Sequence, residues 1–265
     1  MPVKRKRLLA SCVAAIGTLS SISDAPAQTW LGLGPGTRLW NDASNWIPQM
    51  PVSGDTTRLT FIAPSFSAPN YTSANNLPGT FVLNSITLAV PGNTGGYGIF
   101  APPPPTTTIS GNPLEFRVDG ITGAKPEIRQ TLGRTIAITN NLHFDDELRI
   151  GGPGAGGIAF TGALSGTGSL IKTGGQQFYF GRIDQLTPDA TFSGGARIDG
   201  GDFFISTSAA TLPKFGTGAL TIKNSLVRLQ FSGEQWNLDA PTTLIGSVSF
   251  GAQYKCVYNL SLIHI

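Results

Sequence analysis

Residues 166–174 read GTGSLIKTG, residues 193–205 read SGGARIDGGDFFI, and residues 215–222 read FGTGALTI. Each stretch sets an apolar triplet between glycine-rich turns. No window from 162 to 222 places apolar residues at i, i+3, i+4 and i+7, so no helix face is on offer. Short extended segments at near-regular spacing, punctuated by glycine, predict an all-β repeat architecture. Such units stack into a long surface and need no single cleft.

Outward from this stretch, triplets recur at 114–118, 135–138, 142–144, 148–150, 158–160, 169–171, 178–180, 196–198, 203–205, 219–222, 227–231, 236–238 and 248–250. Three of them with their turns make one coil of roughly 20 to 30 residues. Strand alternation then sends Leu142, Phe144, Leu148, Ile150, Ile158, Phe160, Leu170, Phe178, Phe180, Ile198, Phe203, Ile205, Leu220 and Ile222 to a common core. These positions define a repeat region over 111–253.

Residues 28–110 have a different texture. They hold Trp30, Trp40 and Trp46, polar turns at 41–45 and 51–55, and strand candidates at 57–62 and 80–88. An N-terminal β cap or small β subdomain is expected here, because the open end of a first coil exposes apolar side chains and unpaired backbone groups. Residues 91–108 read as a loop, since the run Pro102, Pro103, Pro104 and Pro105 favours an extended chain and donates no ladder bonds.

The N-terminus reads as a processing segment. Lys4, Arg5, Lys6 and Arg7 precede an apolar run at 8–19, and Ala25-Pro26-Ala27 fits an A-x-A-like cleavage site. A signal peptide over 1–27 is expected, with a mature chain from Gln28. The apolar run is too short for a permanent membrane anchor, and no later segment approaches a spanning length without Gly, Pro or a charge. The whole chain has 18 basic and 15 acidic residues. The leader holds four of the former and Asp24, which leaves a neutral remainder. Neutrality argues against nucleic acid, whose phosphates demand clustered Lys and Arg. With Cys12 in the leader, Cys256 has no partner for an intramolecular bridge. Stability must come from stacking and backbone ladders.

Residues 162–205 resemble the autotransporter-associated β-strand repeat. Gly166, Gly168, Ser169, Leu170, Lys172, Thr173 and Gly174 match the first half of that repeat; Phe192, Ser193, Gly194, Gly195, Ile198 and Gly200 match the second. The stretch 40–46, with Gly54-Asp55 and Phe61, looks like the segment that often precedes such repeats in exported bacterial proteins. The resemblance implies a right-handed parallel β-helix, displayed at the cell surface or released, with a structural or adhesive role. Surface glycans or other cell-surface proteins are the implied partners, and neither a cofactor nor a metal is called for. No alternating strands of a membrane barrel follow Leu244, so either the chain is truncated or it leaves the cell by another route. The tail 254–265 resembles translated sequencing-adapter read-through, with an ordinary last strand as the alternative. Cys256 and His264 therefore carry no functional weight.

Motifs that suggest chemistry read better as structure. Residues 152–157, GPGAGG, satisfy G-x-G-x-x-G, but a dinucleotide site needs a helix next, and IAFTG is strand-like. In GTGSLIKT the glycine that a phosphate loop requires before lysine is Ile171. Calcium nonapeptides need an aspartate where Gly156 stands. His143 lies between Leu142 and Phe144, so it faces away from the core; a general base with Asp145 or Asp146 is the functional alternative. Asp145, Asp146 and Glu147 are an acidic corner that could serve a cation or glycoside hydrolysis, although a solvated turn explains them. Asp199 and Asp202 bracket a Gly-Gly turn and read alike. Trp40 and Trp46 are candidates for stacking on sugar rings, against the simpler expectation that they plug the core. A carbohydrate-active β-helix enzyme and a sugar-binding module are the rivals of the non-enzymatic surface role. Gly168 and Gly200 are expected to matter if they need positive φ.

Overall fold

A computed structural model describes residues 27–31, 36–62, 71–92, 107–180, 190–207, 215–231, 235–237, 241–252, 257–259 and 262–264. Nearly all of the predicted leader, Pro102 to Pro105, and Cys256 lie outside the described residues, as do the side chains of Ile205 and His264.

The described chain winds through three strand faces. Face A is built from β1 (Gln28–Trp30), β4 (Arg58–Ile62), β7 (Ser85–Ala89), β10 (Glu127–Gln130), β13 (Leu148–Gly151), β16 (Leu170–Thr173), the first halves of β18 (Ala196–Thr207) and β19 (Leu220–Phe231), β21 (Thr242–Ile245) and β24 (Leu262–His264). Face B holds β2 (Gly36–Leu39), β5 (Tyr71–Asn75), β8 (Thr107–Gly111), β11 (Ile136–Ile138), β14 (Ile158–Phe160), β17 (Phe178–Phe180), the second halves of β18 and β19, and β22 (Ser249–Ala252). Face C holds β6 (Phe81–Leu83), β9 (Leu114–Phe116), β12 (Leu142–Phe144) and β15 (Leu164–Ser165), extended by bridges at Ala190 and Phe215. At the same place in later coils, β20 (Gln235–Asn237) pairs with β23 (Val257–Asn259). Within every face the strands pair in parallel. One antiparallel pair, β1 with β3 (Trp46–Ile47), folds the N-terminal segment back on itself.

This is an all-β, β-helix-like solenoid, as the glycine-punctuated triplets predict. Leu148 stands beside Leu170, a step of 22 residues, and Leu170 beside Ala196, a step of 26. Each step brings the chain back one rung higher, roughly 4.8 Å along the axis. The core follows the expected alternation. Leu142, Phe144, Leu148, Ile150, Ile158, Phe160, Leu170, Phe178, Phe180, Ile198, Phe203, Leu220 and Ile222 are all buried. One interior column runs Leu59, Ile86, Ile128, Ile150, Lys172, Ile198, Ile222. Lys172 is the lone charged member of an aliphatic ladder.

The expected boundary at 110/111 is not a change of architecture. β4 pairs with β7, and β7 with β10, in the same parallel ladder that continues to β13. The cap is smaller than the sequence suggests and consists of the strands and turns before residue 48. There Trp30 and Trp46 meet edge to face at 5.0 Å, Trp40 and Trp46 at 5.5 Å, and Trp40 and Phe81 at 5.2 Å. The indole of Trp40 donates to Ser73 Oγ at 2.8 Å, and that of Trp46 to the Trp40 carbonyl at 3.1 Å. Large rings close the open end of the first coil, and those of Trp40 and Trp46 also have their N–H groups hydrogen-bonded.

The predicted Gly-Gly turn between two triplets is a bend inside one strand. β18 runs unbroken through Gly200 and Gly201, at φ +85° and +70°, and β19 bends likewise at Asn224, φ 49°. The described parts of the tail continue the pattern, with Thr242 beside Leu262. Among the described residues, no helix is long and apolar enough to cross a membrane.

Candidate functional site

The outer surfaces of faces A and B differ. On face B the outward residues Ala137, Ala159, Tyr179 and Phe204 form a second buried apolar cluster, with the Tyr179 and Phe204 rings stacked at 4.5 Å. A strand whose two faces are buried reads as an uninterrupted apolar run, and β11, β14 and β17 read IAI, IAF and FYF. Face A alternates instead. Its outward column is Ser85, Glu127, Arg149, Ile171, Arg197, Thr221, in register from rung to rung.

A groove of about 440 Å³ lies along this column. Glu127, Glu147, Arg149, Ile171, Thr173 and Arg197 line it, and Gly151 and Gly152 leave its floor open. Arg149 Nε donates to Glu147 Oε1 at 2.7 Å, and an Arg197 amine donates to Asp199 Oδ2 at 2.6 Å. Both guanidinium groups keep about half their side-chain surface in solvent. The members of each pair are two residues apart, Arg197 and Asp199 within β18 and Glu147 just before β13, so both members lie on the outer side. The pairs hold donors and acceptors at fixed heights above and below Ile171. Exposed pairs of this kind add little stability; their geometric order is what matters.

The sequence-derived candidates fall into separate places. Trp40 and Trp46 are 0% and 4% exposed, so neither presents a ring face to a sugar. Asp145 and Asp146 sit between β12 and β13 and tie neighbouring coils together. Asp145 Oδ1 accepts from the Thr167 backbone N–H and hydroxyl, both at 2.9 Å. Asp146 Oδ2 accepts from the Val118 N–H at 3.3 Å on the coil before. The Thr167 donors, with the His143 imidazole, hold the Asp145 carboxyl below its ordinary pKa. Asp199 lies near the far end of the face A strands, opposite Thr173. Asp145 and Asp146 therefore do not converge with Asp199 and Asp202 on one bond. Asp119, which sequence reasoning passed over, is buried: desolvation alone would raise its pKa, yet the Thr122 and Ile121 backbone N–H groups and the Arg58 guanidinium bring it down to about 2.

His143 faces outward as expected. Its Nδ1 stands 3.1 Å from Ser165 Oγ and its Nε2 3.2 Å from Asp145 Oδ2. Ser165 Oγ also lies 3.3 Å from the Leu142 carbonyl. The imidazole and the carboxylate are 40% and 58% exposed, so this chain of hydrogen bonds sits in water, where its electrostatics are weak.

The repeat-motif residues hold the rungs together. At Gly166 φ is +117°, and a methyl group would drive into the Phe144 carbonyl oxygen; at Gly168 it would drive into that of Asp146. The φ of Gly168 is not positive, and close approach of the preceding coil is what demands glycine there. Gly194 stacks directly on Gly168, its N–H donating to the Gly168 carbonyl at 3.1 Å. Gly174, Gly195 and Gly200 take φ of +84°, +85° and +85°. Leu170 is fully buried, the Ser169 carbonyl accepts from the Leu148 N–H at 2.8 Å, and Thr173 lies outside, in the groove. Lys172 Nζ donates to the carbonyls of Gly174 and Gly200, each at 2.5 Å. Burial pushes this amine down to about 8, against the pull of Asp202 and Asp199.

Sequence reasoning missed the groove. Its residues are outward members of the triplets LRI, LIK and ARI, and only the register aligns them. No family model, characterised protein or solved structure matches the chain. The class defined by the fold is therefore an all-β solenoid of stacked parallel coils with one ordered polar face.

Proposed function

We propose that the chain is an exported, non-enzymatic surface protein with a structural or adhesive role, similar to the passenger segments of autotransporters. Its coils are read as a right-handed parallel β-helix, and its N-terminal leader as a signal peptide removed near Ala27. The observation that supports the reading is the in-register polar column of face A, which spreads contact groups over successive rungs. A surface of that form suits extended contact with glycans or other surface proteins, each contact weak and many acting together.

The test uses beads coated with the purified chain from Gln28 onward, applied under flow to bacterial and host-cell layers. The expected result is retention well above albumin-coated beads, with no release of low-mass products from the layer. Retention equal to albumin argues against adhesion. Release of sugar fragments replaces this reading with a carbohydrate-active enzyme.

A further inference from the structure

We propose that the face A groove binds an uncharged polysaccharide chain lying along the solenoid axis; the inference deepens the adhesive reading and rests on it. The length of the groove excludes a compact ligand. Glu127, Arg149, Ile171 and Arg197 stand on four successive rungs in register. Three steps of about 4.8 Å give a span of about 14 Å, which calls for a ligand that repeats.

Charge selects the kind of polymer. Among the lining residues Arg149 and Arg197 are balanced by Glu127 and Glu147, and Asp199 further occupies Arg197. A polyanion meets carboxylates beside each guanidinium, and a polycation meets guanidinium groups beside each carboxylate. Vicinal hydroxyls both donate and accept, so they match paired carboxylates and guanidinium forks without a net charge of their own. Ile171 between the two arginines offers an apolar floor to the C–H face of a sugar ring.

A peptide is the weaker candidate because strand addition needs a free edge. Here β13 and β16 pair on both sides, so their backbone groups are already committed. The outer side of face B is buried, with Tyr179 and Phe204 covered, whereas Arg149 and Arg197 on face A keep about half their side-chain surface in solvent. Gly151 keeps the groove open beside Thr173, whose Oγ1 a methyl group there would approach to 2.8 Å.

The experiment is affinity electrophoresis of the purified chain through gels containing galactomannan, xyloglucan, dextran, alginate or chitosan. Retardation by at least one of the three neutral polymers is expected. The double variant Arg197→Ala, Ile171→Glu should raise the dissociation constant at least ten-fold, and Arg149→Ala several-fold, with melting temperatures unchanged. The proposal is overturned by retardation in alginate or chitosan alone, by retardation in no gel, or by variants that bind as the parent does. Beads that still adhere while no neutral gel retards the chain would sink the groove and leave the adhesive reading standing. Beads that fail to adhere while a neutral gel retards the parent and not the double variant would do the reverse.

Discussion

At the N-terminal end the interior is closed by Trp30, Trp40 and Trp46, whereas at Gly166, Gly168, Gly194 and Gly218 neighbouring coils meet where there is no side chain. The tryptophans fill volume above the first coil, and the N–H groups of Trp40 and Trp46 are satisfied by Ser73 and the Trp40 carbonyl. The corner glycines Gly168 and Gly194 let one coil's backbone rest on the next, with N–H groups bonded across the gap. The end of a solenoid has no neighbour and needs bulk; the middle has a neighbour on each side and needs absence of bulk. The two regions should therefore respond to opposite changes.

The sharpest way to break this contrast is Gly168→Val. Its side chain meets the Asp146 carbonyl with no space to move into, and a loss of more than about 4 kcal/mol is expected. A thermal melt by circular dichroism should show no cooperative transition; a melt like the parent's would mean that the coils do not approach as described. Next in size is Trp40→Ala, which empties the plug at the other end. Loss of a fully buried tryptophan should cost about 3–5 kcal/mol, read as a lower urea midpoint. An unchanged midpoint would show that the rings do not seal the first coil.

Lys172 sharpens the comparison within the middle region, because it puts a charge in an aliphatic column. Its folded-state pKa of about 8 lies below the ordinary lysine value of 10.5. The unfolded chain thus binds the proton more readily, and stability should rise as pH increases from about 8 to 10.5. The gain is on the order of 3 kcal/mol. Lys172→Met should remove this rise, as measured by urea unfolding at several pH values. Survival of the full rise in the variant would assign it to other groups. The smallest effect is expected at Gly175, whose φ is not positive and where a methyl group has nothing within 4 Å. Gly175→Ala should change stability by no more than about 0.5 kcal/mol. A large loss there would mean that glycine identity, rather than contact, governs the corners.

The legible part of the sequence was the apolar alternation. Residues such as Ile158, Phe160 and Phe178 announce an inward face by themselves. β5, β8 and β10 were passed over because their inward positions are partly polar. In β5, Ser73 receives the Trp40 indole and Asn75 donates to the Asn112 carbonyl at 3.2 Å, partners 33 and 37 residues away. Nothing local marks such residues as interior. Positive φ is the constraint at Gly200, whereas at Gly168 it is a carbonyl one coil earlier, which no local sequence signal marks. The groove was invisible for the same cause: Arg149, Ile171 and Arg197 come into one column only through steps of 22 and 26 residues. Within Asp145, Asp146 and Glu147, only Glu147 reaches the groove.

The central claim is parallel stacking of coils in a fixed register, and cysteine cross-linking tests it most directly. With Cys12 and Cys256 replaced by serine, Arg149→Cys with Ile171→Cys places two thiols on adjacent rungs about 4.8 Å apart, within disulfide reach. Glu127→Cys with Ile171→Cys places them two rungs apart, beyond it. The account predicts an intramolecular disulfide in the first pair alone, read by thiol titration and mass. A bridge in the second pair, or in neither, would contradict the stacked solenoid.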